Sequence, residues 1–290
     1  MGIVISEPLI QEIQDDTFKS KKLQLFVLRL DLLHKYISGN KWYKLKYNLE
    51  EAQKLGKRTL LTFGGAYSNH IIATAAAAKQ FGFSSIGIIR GDELKEPNER
   101  LKFALEMGMK LQYVSRELYR DKDRLMNYVT EIVDSNETYI LPEGGSNQLA
   151  VKGCQEILNG INIPYDIVCC ACGTGTTLAG IALSLKRDTA VIGFSSLKGG
   201  TFLEKEVQNY VGNSLHNWSI ETNYHFGGYA KSTSELMDFI KGFNHQHNIE
   251  LDYVYTGKMM YGVFDLASKN RFIPGSRILV IHTGGIYKNK

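Results

Sequence analysis

From Arg58 onward the sequence alternates short apolar runs with amphipathic stretches, and three of the apolar runs end in glycine loops. RTLLTF (58–63), SSIGIIRG (84–91), KLQYVS (110–115), the start of ETYILPEGGS (137–146), YDIVCCACG (165–173), TAVIGFS (189–195) and RILVIHTGG (277–285) read as strands. Helices are predicted at Ser68–Gln80, within PNERLKFALEMG (97–108), across YRDKDRLMNYVTEIVDS (119–135) and over TLAGIALSLK (177–186). Apolar strands separated by helices specify an α/β fold with largely parallel sheets. In such sheets ligands bind outside the carboxyl ends of the strands, where FGGAYSNH, CGTGTTLAG and HTGG fall. No repeat or low-complexity linker marks a domain boundary, so pattern alone leaves the number of domains open.

Composition removes several classes of function. Hydrophobic residues make up 43% of the 290 and charged residues 22%, ordinary values for a chain that buries a core. Net charge is +4, with no basic cluster interleaved with aromatics, so no nucleic-acid partner is expected. The longest strongly apolar run, Ile71–Ala78, is too short to cross a bilayer. Glu7 interrupts the N-terminus before a secretory hydrophobic region could form, and a cytoplasmic location is expected. MGIVIS fits the loose N-myristoylation pattern but reads as a strand-forming start. Three of the four cysteines (Cys169, Cys170 and Cys172, with Cys154 apart) lie in one strand, where neighbours point to opposite faces. They are read as buried reduced thiols, and no metal site is expected.

The loop Gly173-Thr174-Gly175-Thr176-Thr177 runs straight into a helical stretch, so backbone N–H groups and threonine hydroxyls could cradle a phosphate. It is not a Walker loop, because Gly-Lys-Ser/Thr is absent. It also fails as a dinucleotide fingerprint, since Leu178 stands where a third glycine is needed and no acidic residue closes the next strand. A nucleotide-dependent oxidoreductase is therefore disfavoured. Ser68 and Asn69 open the next glycine-linked helix as N-caps or as an anion site, and His70 reads as a polar surface residue. In SGNKWYKLKYNLEEA the helix-spaced residues Leu45, Leu49 and Ala52 mark the inward face. At about 100° per residue Lys41 falls within roughly 80° of all three, Lys44 lies at the edge and Lys46 well off it. Lys41 is the lysine out of place on a solvated helix, although a snorkelling side chain gives the same pattern.

SGNKWYKLKYNL, FGGAYSNH, TGTTLAG, LDYVYTGKMMYG and HTGG, in this order across residues 37 to 285, resemble the D-cysteine desulfhydrase / 1-aminocyclopropane-1-carboxylate (ACC) deaminase family. These are pyridoxal-phosphate (PLP) enzymes of the tryptophan-synthase-β fold type. The resemblance implies two open, largely parallel twisted sheets flanked by helices. Residues 1–45 and 150–290 would form a larger cofactor domain, residues 46–149 an inserted α/β domain, and PLP would lie in the cleft. It further implies that Lys41 carries the cofactor and moves the substrate α-proton. Gly173, Thr174, Gly175, Thr176 and Thr177 would hold the phosphate. Asn69 would lie beside the ring hydroxyl, and Ser68, Asn69 and His70 around the substrate carboxylate. Tyr255 would face the reacting carbons. Tyr229 stands near the place of a second tyrosine, but GGYAK departs from the family's Gly-Tyr-Gly-x-Pro. Thr256 and Thr283 would lie at the cofactor ring, where ACC deaminases carry Glu and Leu and desulfhydrase-type members small hydroxyl residues. The expected activity is a PLP-dependent lyase acting on a small D-amino acid, foremost D-cysteine. ACC deamination or D-serine dehydration is the alternative, and a non-catalytic PLP-binding protein a further one. A homodimer is expected by the same resemblance.

Overall fold

The computed structural model describes residues 6–93, 95–186 and 188–285. The strand-forming start expected at Met1–Ile5 lies outside them. In chain order the elements are β1 (Leu9–Ile13), α1 (Asp16–Ser20), β2 (Gln24–Arg29), α2 (Asn40–Lys54), β3 (Thr59–Gly65), α3 (Asn69–Phe81) and β4 (Ser84–Arg90). Then come α4 (Glu99–Glu106), β5 (Met109–Val114), α5 (Arg116–Arg120), α6 (Lys122–Ile132), β6 (Thr138–Leu141) and α7 (Gln148–Cys154). The chain continues with β7 (Ile167–Cys172), α8 (Thr176–Ser184), β8 (Ala190–Ser195), α9 (Phe202–Val211), β9 (Trp218–Glu221), α10 (Ser234–His247), α11 (Thr256–Ser268) and β10 (Arg277–His282).

Contacts divide the chain into two compact units. One is Lys41–Ala150, built on a four-stranded parallel sheet in the order β5-β4-β3-β6. Helices α3 and α4 cover one face, where Ile71, Ala75, Leu101 and Ala104 pack with Ile89. On the other face Leu125 and Val129 of α6 meet Leu61, Phe63 and Ile88. The other unit comprises Ser6–Asn40 and 151–285, on a six-stranded sheet ordered β1-β2-β10-β7-β8-β9. It is parallel except for the β1–β2 pair. Its central strands read as unbroken apolar runs because both faces are covered. Cys169, Ile278 and Val280 face the cluster formed with Met259, Met260 and Val263 of α11. Toward α8, Gly193 makes room for Leu178: a Cβ at Gly193 would lie 2.6 Å from Leu178 Cδ2. The missing third glycine is thus a packing residue.

All four cysteines are buried, and burial pushes the Cys169 thiol well above its ordinary range. Among the described residues no helix is long and apolar enough to cross a membrane, and no His/Cys/Asp/Glu group could hold a metal. One predicted helix is corrected. The stretch 119–135 is not continuous, because the Asp121 side chain accepts from Arg124 N and starts α6 as a new helix.

Candidate active site

The Gly173–Thr177 loop leaves β7 and opens α8. Gly175 is the N-cap of α8, with φ +77° and no side-chain capping bond. A Cβ there would lie 2.9 Å from Val207 Cγ2, so conformation and space both require glycine. The leading N–H groups of α8 have no capping side chain, and the Thr176 and Thr177 hydroxyls are buried beside them. That is an anion-binding helix end, with partial positive charge and convergent donors. Asn40 Nδ2 donates to Thr177 Oγ1 at 2.9 Å, leaving the threonine hydroxyl hydrogen for another acceptor. Asn40 N donates to the Thr283 carbonyl at 3.3 Å. Gly39, at φ +65°, lies so close that a Cβ would fall on that carbonyl. Ser-Gly-Asn is therefore stitched to the Gly173–Thr177 loop and to the end of β10, which fixes the residue preceding Lys41.

The Tyr255 ring lies against Gly173, where a Cβ would be 3.1 Å from Tyr255 Cε1. Tyr229 meets Tyr255 edge to face, with centroids 6.0 Å apart and planes at 66°. Thr256 is fully buried, and its hydroxyl donates to Asp252 Oδ2 at 2.7 Å while accepting from Asp252 N at 2.9 Å. Asp252 also accepts from Val254 N, Tyr255 N and Thr256 N at 2.7 to 3.0 Å. His282 Nε2 lies 2.6 Å from the Glu250 carbonyl, tying the end of β10 to this turn.

Lys41 starts the other unit, in the first turn of α2. Leu45, Leu49 and Ala52 form its buried face as predicted. The lysine expected at the edge of that face, Lys44, is instead only 3% exposed, while Lys41 is partly exposed. Lys44 Nζ donates to the Gly144 carbonyl at 3.1 Å, a partner 100 positions away in sequence. His70, read from pattern as a surface residue, is 1% exposed, and neither ring nitrogen has a partner. The ring packs under Gly145, where a Cβ would lie 2.9 Å from His70 Cε1. Burial first, then the charges of Lys41 and Lys44, hold His70 well below 6.5, so the ring is neutral at pH 7. Ser68 Oγ caps α3 by accepting from His70 N and Ile71 N, at 3.2 and 3.4 Å. Asn69 Oδ1 accepts a hydrogen bond from Arg100 Nη1, which also donates to the Tyr67 carbonyl at 2.8 Å. Arg100 thereby sets which way the Asn69 amide is turned.

One unit thus gathers Gly173–Thr177, Tyr229, Tyr255, Thr256 and Thr283, and the other holds Lys41, Ser68, Asn69 and His70. Sequence reasoning missed Asn40, Gly144, Gly145, Arg100 and Asp252. Asn40 and Asp252 lie inside motifs already singled out and could have been found there. Arg100 and the Gly144–Gly145 turn carry no local signal. The α8 end fits an anionic cofactor, because it offers uncapped N–H groups and buried hydroxyls. In the other unit, both buried nitrogens of His70 lack a hydrogen-bond partner.

The fold and this donor set define an α/β protein with an anion-binding helix end. Residues 13–284 match the family model described as pyridoxal-phosphate dependent enzyme, and the chain belongs to that family. A Pyrococcus horikoshii protein provisionally named 1-aminocyclopropane-1-carboxylate deaminase is 32% identical, over 90% of this chain and 84% of its own. The mitochondrial bifunctional D-cysteine desulfhydrase/1-aminocyclopropane-1-carboxylate deaminase of Arabidopsis thaliana is 31% identical, over 91% of this chain and 72% of its own. The crystal structure of an ACC deaminase homologue superposes with a TM-score of 0.81 at 28% identity, covering 99% of this chain and 91% of that one. The protein is a PLP-dependent lyase of the ACC deaminase group, with the α/β architecture of PLP fold type II.

Proposed function

We propose that this lyase acts on a small D-amino acid, with D-cysteine its leading substrate. The observation that carries this is Thr256: a neutral, buried hydroxyl, its hydrogen given to Asp252, where ACC-opening members of the family carry a carboxylate. A glutamate beside the ring nitrogen would keep it protonated and the ring a strong electron sink, which a threonine hydroxyl does much less well. Release of sulfide demands less of that sink than opening a cyclopropane. The name of the Arabidopsis relative joins both activities on one chain, which supports a shared scaffold.

Bound PLP supplies the sink for the electron pair left at the substrate α-carbon. The α8 end and the hydroxyls of Thr174, Thr176 and Thr177 bind its phosphate. Lys41 would hold its aldehyde carbon and would serve as the base for the substrate α-proton. Asn69, oriented by Arg100, and the Ser68 hydroxyl would bind the carboxylate. The hydroxyl of Tyr255, with Tyr229 beside it, would lie toward the departing sulfur. D-cysteine and one water become pyruvate, ammonia and hydrogen sulfide.

The names of the Pyrococcus relatives favour a second reading, ACC deamination. A panel of D- and L-cysteine, D-serine and ACC, assayed for keto-acid, ammonia and sulfide release, separates the two. The expected ranking has D-cysteine first. Faster release of ammonia from ACC than of sulfide from D-cysteine overturns the substrate assignment, and leaves the PLP lyase in place.

A further inference from the structure

The loop that carries Tyr229 differs from the pattern its family resemblance predicts, and its backbone is demanding. Phe226, Gly227, Gly228 and Ala230 all have positive φ, at +48°, +90°, +113° and +53°. Two successive turns build it: Gly228 N donates to the His225 carbonyl at 2.9 Å, and Lys231 N to the Gly228 carbonyl at 3.1 Å. Lys258, 1% exposed and in the first turns of α11, donates through Nζ to these same two carbonyls, at 2.8 Å and 2.7 Å. Phe226 packs edge to face on Tyr261, farther along α11, with centroids 4.9 Å apart. Tyr229 lies in the second turn, and its ring meets that of Tyr255, the residue before α11.

We propose that Lys258 is the positioning residue of the tyrosine pair: its ammonium clips both turns of the 225–231 loop to the helix start that presents Tyr255, and so holds Tyr229 against Tyr255. One helix start then sets the place of both rings. This fits the chemistry better than a solubilising charge, because a fully buried amine spends its donors on two carbonyls that already have backbone partners. It also explains how the loop keeps Tyr229 in place with Ala230 and Ser232 where the family pattern has glycine and proline. The proposal rests on the reading of Tyr255 and Tyr229 as residues facing the reacting atoms, and it names a residue that acts only through them.

The test compares wild type with Lys258→Met, which keeps the length and loses the donors, and with Lys258→Gln, which retains an N–H donor. In the protein as purified, amide hydrogen exchange of a peptide spanning 222–233 should quicken at least tenfold in Lys258→Met and recover in part in Lys258→Gln. Exchange within α11 should stay unchanged. With the substrate that wild type uses best, kcat should fall at least tenfold in Lys258→Met with KM changed less than threefold, the signature of misplaced groups rather than lost binding. Adding Tyr229→Phe to Lys258→Met should cost nothing beyond Tyr229→Phe alone, since both changes remove one function. Unaltered loop exchange overturns the clamp, and full additivity of the two substitutions overturns its action through Tyr229. If Lys258→Met does not fold, Lys258→Gln against wild type decides by the same exchange and kinetic measures. If wild type turns over nothing in the panel, the functional assignment fails, and the exchange measurement still decides the clamp.

Discussion

Two lysines three positions apart illustrate what residue-scale chemistry decides. Lys44 is the buried one and is bonded to a backbone carbonyl, whereas Lys41 follows the Asn40 anchor at the phosphate loop. Borohydride reduction of the protein loaded with PLP should therefore label Lys41 in a peptide map, and a label on Lys44 or Lys46 contradicts the assignment. Lys41→Ala should abolish turnover while the phosphate loop still binds PLP. Lys258 makes a prediction of opposite kind. Burial lowers its pKa from 10.5 to about 8, against the opposing pull of Asp252. Between those values the unfolded chain binds more protons than the folded one, so this residue makes stability rise with pH. In urea melts, wild type should gain stability relative to Lys258→Met from about pH 8 to 10.5, and the gap should be flat below pH 8. Wild-type stability that stays level with, or falls relative to, Lys258→Met over that range would show that the folded lysine keeps its proton.

At the scale of elements, the start of α3 combines a structural role with a chemical one. Ser68 is the helix cap, so Ser68→Ala should lower stability by about 1 kcal/mol by calorimetry or denaturant melts. Asn69 caps nothing, and its amide is aimed by Arg100 from α4. Asn69→Ala should therefore depress kcat/KM by tenfold or more with little change in Tm, and equal loss of both would reduce Asn69 to scaffold. The start of α11 is tighter. Thr256→Glu, the change that would install the carboxylate of ACC deaminases, removes both hydroxyl bonds to Asp252 and sets a second negative charge beside it. Tm should fall by several degrees, and Thr256→Glu with Thr283→Leu should lower sulfide release from D-cysteine. Adding Asp252→Asn should recover Tm, if like charge is the cause. All four strands of the four-stranded sheet, and β7, β8 and β10 of the six-stranded one, were legible as compact apolar runs, most clearly where both faces are buried. β1, β2 and β9 were not read from the sequence. β1 mixes Gln11 and Glu12 among apolar residues, and β9 has four residues, WSIE, too few for a period.

For the whole molecule, cofactor and fold are linked. PLP binds the native chain, so its removal should lower Tm: at a hundredfold excess over Kd the linkage is worth about 2.7 kcal/mol, or roughly 5 °C for a chain of this size. Thermal melts of protein stripped of PLP and then reloaded would check this, and equal Tm values would show that the cofactor is not held by the native fold. The sequence alone determined the α/β class and the glycine-ended strands, and it singled out the lysine of Ser-Gly-Asn-Lys and the Gly173–Thr177 loop as candidates. These are local properties: strand period, helix start and the absence of a side chain can each be read within a dozen residues. Only the tertiary structure decided that Lys44 is buried under Gly144, that His70 is enclosed without a partner, that Arg100 turns Asn69, and that Lys258 holds the loop of Tyr229. Each of these joins residues about 30 to 100 positions apart, His70 included, whose ring packs under Gly145. Whether a polar side chain is solvated or enclosed depends on what the rest of the chain packs against it, and no local pattern carries that information.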